Sequence, residues 1–138
     1  MLQPFGELAD RVMSAPRLLF VEDEVLIQIV AEEDLTAQGF QVIVAGTAKA
    51  ALEAMRPDVS GFAAAIIDVG LPDRSGDSLA VDLRSLSETL PIVIVSGYDK
   101  EVLAGRFDAD RRVTFLRKPY RIPQLLTALF AVGVDQPQ

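Results

Sequence analysis

The sequence predicts an α/β protein built on a doubly wound, five-stranded parallel sheet. Short apolar, largely β-branched runs alternate with longer helix-forming stretches along the chain, and several of those runs are apolar at consecutive rather than alternate positions. Consecutive apolar residues mark a strand buried on both faces, which places a parallel sheet between two helix layers. Right-handed crossovers then wind the helices onto both faces.

The first strand is "RLLFV", Arg17 to Val21. "EVLIQIVAEEDLTAQG" follows, with Val25, Ile29, Val30 and Leu35 near helical spacing and Gly39 as a C-terminal stop. "FQVIVA" (Phe40 to Ala45) is a β-branched second strand, and "TAKAALEAMRP" is a helix with Thr47 as N-cap that ends before Pro57. "FAAAIID" (Phe62 to Asp68) is the third strand, and "SGDSLAVDLRSLSETL" the third helix, with Leu79, Leu83 and Leu86 on one stripe. "PIVIVSG" (Pro91 to Gly97) is the fourth strand, followed by "YDKEVLAGRFDADRR", a weaker helical signal containing Gly105. "VTFL" (Val113 to Leu116) is the fifth strand, and "IPQLLTALFAV" the last helix, with Pro123 suited to its first turn.

Composition narrows the chemistry. The 138 residues are 50% hydrophobic and 24% charged, enough for one domain with a real core. No apolar run reaches the ~18 residues that span a bilayer, and the start of the chain lacks the pattern of a signal peptide, so a cytoplasmic protein without membrane insertion is the expectation. With no cysteine and no histidine, thiol and imidazole chemistry are absent and any metal must be a hard cation held by oxygen. A net charge of -7 gives no footprint for direct nucleic-acid binding. Leu2, Phe5, Leu8, Ala9 and Val12 fall near helical spacing, but Pro4, Gly6 and Pro16 interrupt them. Residues 1–16 therefore read as an extension or linker, 17–132 as the domain and 133–138 as a tail.

In a doubly wound sheet, ligands bind outside the carboxyl ends of the strands. Glu22, Asp23 and Glu24 follow the first strand, Asp68 ends the third, Ser96 the fourth, and Lys118 and Pro119 follow the fifth. Carboxylates from different strands gathered on one rim repel one another unless a cation lies between them, and magnesium suits such a site. A carboxylate there can act as nucleophile toward a phosphoryl group, with the cation, the Lys118 ammonium and the Ser96 hydroxyl each neutralising one equatorial oxygen. Taken singly, each of these residues is an ordinary turn, cap or solvated charge, and Arg111, Arg112 and Arg117 read as a solvated edge. The joint placement is what points to chemistry.

"LFVEDE", "AIIDVGLPDRSG", "PIVIVSG" and "FLRKPY" together resemble the receiver domain of two-component response regulators, over about Arg17 to Val132. The resemblance implies a flavodoxin-like (βα)5 fold with strand order 2-1-3-4-5. It implies that Asp68 accepts a phosphoryl group, that Glu22, Asp23, Asp68 and the Gly70 carbonyl hold Mg2+ or Mn2+, and that Ser96 and Lys118 complete the site. It further implies a cis Lys118–Pro119 bond, a switch made of Ser96 and Phe115, and tuning of phosphate lifetime by Gly70 and Tyr98. The donor would be a histidine kinase or histidine phosphotransfer protein, the output an unidentified downstream protein, and the chain a monomer or weak dimer. Such a domain is a signalling module rather than an enzyme, catalysing only its own phosphorylation and dephosphorylation.

"PIVIVSGY" is also similar to the Pro-Phe-x-x-Ala-Thr-Gly-Tyr pattern of a stand-alone alphaproteobacterial receiver subgroup, with Ile92, Val95 and Ser96 departing from it. That subgroup implies an unusual or mobile helix over residues 98–112. Phe115 carries no hydroxyl, so any switching movement there must come from packing. Other readings are a docking module that is never phosphorylated and a receiver segment of a hybrid histidine kinase. A haloacid-dehalogenase-type phosphatase would need an acid at the position of Gly70, and a flavin carrier would not place "EDE" where a phosphate must bind.

Overall fold

The computed structural model describes residues 15–97, 107 and 109–137. Among them are five strands, β1 (Arg17–Val21), β2 (Gln41–Ala45), β3 (Ala64–Asp68), β4 (Ile92–Ser96) and β5 (Val113–Arg117). Four α-helices accompany them, α1 (Val25–Ala37), α2 (Ala48–Met55), α3 (Gly76–Leu86) and α4 (Ile122–Ala131), with a 3-10 segment over Arg56–Gly61. All strands pair in parallel in the order β2-β1-β3-β4-β5. The helix expected over residues 98–112, the Gly105 within it, and Tyr98 lie outside the described residues, as does most of the 1–16 extension.

The consecutive apolar residues divide between two cores, as a sheet covered on both faces requires. Leu19, Val21, Ala65, Ile67, Ile92 and Ile94 face α2 and α3, whose Ala48, Leu52, Met55, Leu79 and Leu83 complete one core. Leu18, Phe20, Ala64, Ile66, Val93 and Val95 face α1 and α4, meeting Ala31, Leu35, Leu125 and Leu129. Every residue of β3 and β4 is buried, so these strands form the rigid centre. Thr47 caps α2 as expected, its Oγ1 accepting from the Ala50 N–H at 3.0 Å. Gly39 follows α1 with φ +100°, a left-handed conformation that favours glycine.

Two helical stripes differ from expectation. Leu79 and Leu83 are buried, but Leu86, the last residue of α3, is 43% exposed. On α1 only Ala31 and Leu35 are buried; Val25, Leu26, Ile29 and Val30 are each about half exposed or more. That helix is apolar around most of its first half, so spacing alone cannot say which side faces the sheet. Beyond α4, Val134 is buried and its N–H donates to the Leu129 carbonyl at 3.0 Å, while Pro137 lies against Gly39. No helix among the described residues is long and apolar enough to cross a membrane.

Candidate functional site

Parallel pairing brings the carboxyl ends of all five strands to one rim, and the polar residues of the sequence meet there. Glu22 follows β1 and is 2% exposed, Asp68 closes β3 at 8%, and Ser96 closes β4 at 5%. Buried polar groups of this kind, outnumbered by a wholly apolar strand centre, need partners. Lys118 supplies one from the far side of β4: its Nζ donates to Glu22 Oε1 at 2.9 Å and lies 3.2 Å from Asp68 Oδ2. The lysine is positioned by its own N–H, which donates to the Ser96 carbonyl at 2.8 Å, and the Lys118–Pro119 peptide bond is cis. The Glu24 N–H donates to Glu22 Oε2 at 3.2 Å and fixes the other carboxylate oxygen.

One carboxylate oxygen from each of Glu22, Asp23 and Asp68 lies within 4.8 Å of the others. Among the described residues, the Lys118 ammonium stands against these three acids. Burial pushes the Glu22 carboxyl above its ordinary value, outweighing the lowering effect of its bond from Lys118, and the Asp68 charge pushes the same way. Burial pulls the Lys118 ammonium down, but its bond to Glu22 and the charge of Asp68 prevail and leave it raised. The half-buried Tyr120 hydroxyl is pushed up to about 12, first by desolvation and then by the Glu22 charge. Two buried carboxylates and one exposed one, with all-oxygen donors and excess negative charge, fit a hard divalent cation.

The remaining predicted residues sit around this centre. Gly70 is exposed, two residues beyond β3, and a Cβ built on it would stand 3.8 Å from Asp68 Oδ2, beside the carboxylate. Phe115 is half-buried on β5, its ring 6.4 Å from that of Phe107 and tilted by 56°.

The site also uses residues that sequence reasoning passed over. Gly76, the first residue of α3, has no room for a side chain: a Cβ there would lie 2.0 Å from the Asp68 carbonyl oxygen. Asp73, exposed in the loop after β3, accepts from the Ala48 N–H at 2.9 Å and the Lys49 N–H at 3.0 Å. A glycine placed directly at a helix start was the available sign for Gly76; nothing local marks Asp73.

Fold and rim together define an α/β module with an acid-and-lysine crevice at the carboxyl ends of a parallel sheet. The chain belongs to the response regulator receiver domain family, whose sequence model matches residues 18–130. It is 29% identical to the sensor kinase CckA of Brucella abortus over 89% of this chain and 13% of that one. It is 30% identical to nodulation protein W of Bradyrhizobium diazoefficiens over 80% of this chain and 48% of that one. It thus spans less than half the length of either relative. Among solved structures, a response regulator receiver protein from Sinorhizobium medicae superposes with a TM-score of 0.77 at 25% identity, covering 87% of this chain and 95% of that one. The receiver domain of the hybrid histidine kinase CckA superposes at 0.71 with 30% identity, covering 85% and 99%. The chain is therefore a two-component signalling module of receiver type.

Proposed function

We propose that Asp68 accepts a phosphoryl group from a phosphohistidine on a histidine kinase or histidine phosphotransfer protein, and that the modified domain changes its contacts with a downstream protein. The observation that carries this is the convergence of the Lys118 ammonium on Asp68 and Glu22 beside a carboxylate trio within 4.8 Å. Glu22, Asp23, Asp68 and the Gly70 carbonyl would hold Mg2+ or Mn2+, which when bound neutralises charge on the transferring phosphoryl oxygens. An Asp68 carboxylate oxygen forms the new bond to phosphorus as the bond from phosphorus to the imidazole nitrogen breaks, and the electron pair leaves with the imidazole. Lys118, 3.2 Å from Asp68, pairs with a second phosphoryl oxygen and the Ser96 hydroxyl with a third. Ser96 and Phe115 form the switch, and Gly70 with Tyr98 sets the lifetime of the phosphate.

Incubation with acetyl phosphate tests the reading directly. A phosphoryl adduct should form with MgCl2 and not in EDTA, and borohydride reduction followed by peptide mapping should place it at residue 68. An adduct that ignores the cation, or maps elsewhere, overturns it.

The exposed apolar side of α1 supports a helical protein donor. A groove of about 690 Å3 runs along Leu26, Ile27 and Val30 to Tyr120, and Lys118 and Pro119 form part of its wall, so it opens onto the site. A donor helix seated there brings its phosphohistidine to Asp68. Leu26 is 78% exposed, so Leu26→Asp removes contact surface at little cost to the fold. Transfer from an autophosphorylated kinase that labels the parent chain should slow about tenfold, the effect of ~1.4 kcal/mol, while acetyl phosphate labelling is unchanged. Equal slowing of both reactions, or of neither, excludes α1 as the docking face.

The unit so used is residues 17–132, with 1–16 an extension or linker and 133–138 a tail. The "PIVIVSGY" run favours the stand-alone alphaproteobacterial subgroup, acting in the cytoplasm as a monomer or weak dimer. The match to CckA over 89% of this chain favours a second context, the receiver segment of a hybrid histidine kinase.

A further inference from the structure

The loop from Val69 to Ser75 carries Gly70 over the rim, and its two ends are held very differently. At its root the Val69 N–H donates to the Val95 carbonyl at 2.9 Å, and the Val69 carbonyl accepts from Leu71 at 3.1 Å and Gly76 at 2.9 Å. Beyond Leu71, whose side chain is buried, the loop leaves the protein: Pro72 and Asp73 are exposed. The outer tip is tied to α3 through Arg74, whose Nε donates to Ser78 Oγ at 3.1 Å, and to α2 through Asp73. Both Asp73 carboxylate oxygens accept from the first N–H groups of α2, Ala48 at 2.9 Å and Lys49 at 3.0 Å, across 24 and 25 residues of sequence.

Helix α2 is a rigid post for this tie. Ala48, Ala51, Leu52 and Met55 are buried in the core against α3 and the sheet. Its N-terminus is shared between two caps, since Thr47 takes the Ala50 N–H and leaves the preceding two to Asp73. The Asp73 carboxyl is held below its ordinary value by those two backbone bonds, so the tie is intact at neutral pH.

We propose that Asp73 is a positioning residue for the cation site: by latching the loop to α2 it fixes the backbone of Gly70, three residues away. This rests on the reading that the Gly70 carbonyl is a cation ligand. A glycine is the residue least able to hold its own backbone in place, and here it stands between a hydrogen-bonded root and a latched tip. A ligand held in place before the cation arrives costs less ordering when it binds, so the latch should appear in affinity for the metal. It also makes α2 and the cation site one mechanical unit.

The alternative is that Asp73 only caps α2, and Thr47 gives the control, because Thr47→Ala removes a cap from the same helix end without touching the loop. MgCl2 alone is titrated calorimetrically into the parent chain, Asp73→Ala, Asp73→Asn and Thr47→Ala, and each is also melted thermally. Asp73→Ala should bind Mg2+ about tenfold more weakly, as is common when a residue supporting a ligand is removed. Asp73→Asn, keeping one acceptor oxygen, should fall between. Thr47→Ala should lose comparable thermal stability yet bind within about twofold of the parent. Equal weakening by Asp73→Ala and Thr47→Ala, or none by Asp73→Ala, overturns the latch while leaving the phosphoacceptor reading intact. A parent chain that takes up no Mg2+ at millimolar concentration overturns both.

Discussion

Asp68→Asn is expected to abolish the Mg2+-dependent phosphoryl adduct completely and, in the absence of metal, to make the protein more stable. The first effect follows from chemistry, because an amide oxygen cannot take the place of the attacking carboxylate. The second follows from charge. Asp68 faces two acids whose nearest oxygens lie within 4.8 Å and one lysine at 3.2 Å. At an effective dielectric near 20, each repulsion is worth roughly 3 kcal/mol and the attraction roughly 5, so the repulsions win by about 1 kcal/mol. Removing Asp68's charge leaves Lys118 with its 2.9 Å bond to Glu22. A gain of that size raises the melting midpoint by roughly 4 °C in a domain this small. If the proposed cation site forms only in the folded chain, added MgCl2 should stabilise the parent and scarcely move the variant. An adduct on Asp68→Asn, or an equal response of both proteins to Mg2+, would sink the assignment.

The same cluster sets the sign of the pH response. Glu22 is raised above its ordinary value of 4.5, so metal-free protein holds that proton better folded than unfolded. Its contribution to stability is fully present below 4.5 and is lost as the pH rises through the raised value. Asp73 acts in the opposite sense: its value is lowered from 3.8, and its contribution is present above 3.8 and lost as the pH falls through the lowered value.

Much of this was legible from the chain because strands and rim obey local rules. Ile66 and Ile67 are both apolar because they serve opposite cores, and Asp68 breaks the run because the strand emerges there at the crevice. Glu22, Ser96 and Lys118 occupy equivalent ends of other strands, so a parallel sheet brings them together whatever the loops do. The orientation of the first half of α1 was not legible, because Val25, Leu26, Ile29 and Val30 are exposed while its one polar residue, Gln28, is half-buried. Nor was Asp73, whose partners lie 24 and 25 residues away on an element it does not adjoin in sequence. Such contacts depend on how far one loop overhangs its neighbour, which periodicity does not encode.

Gly76→Ala is expected to be the most damaging single-methyl change on the rim. The added Cβ would lie 2.0 Å from the Asp68 carbonyl oxygen, 2.7 Å from its carbon and 2.9 Å from Ile67 Cγ2. The first two belong to the backbone of a fully buried central strand, which cannot rotate aside as a side chain would. Relief must come from moving the start of α3, which also breaks the Gly76 N–H bond to the Val69 carbonyl. Alanine favours a helix by up to about 1 kcal/mol over glycine, but overpacking against backbone should cost about 3 kcal/mol, so the net change is a loss of roughly 2 kcal/mol. Because the displaced carbonyl belongs to Asp68, labelling by acetyl phosphate should slow even where the variant is fully folded. Gly97→Ala is the matched control at the end of β4, where a Cβ meets nothing within 4 Å, and it should leave both stability and labelling unchanged. Denaturant unfolding and labelling rates on the two variants decide the matter: if Gly76→Ala behaves as Gly97→Ala does, α3 is free to shift, and the nucleophile is not held by the helix that follows it.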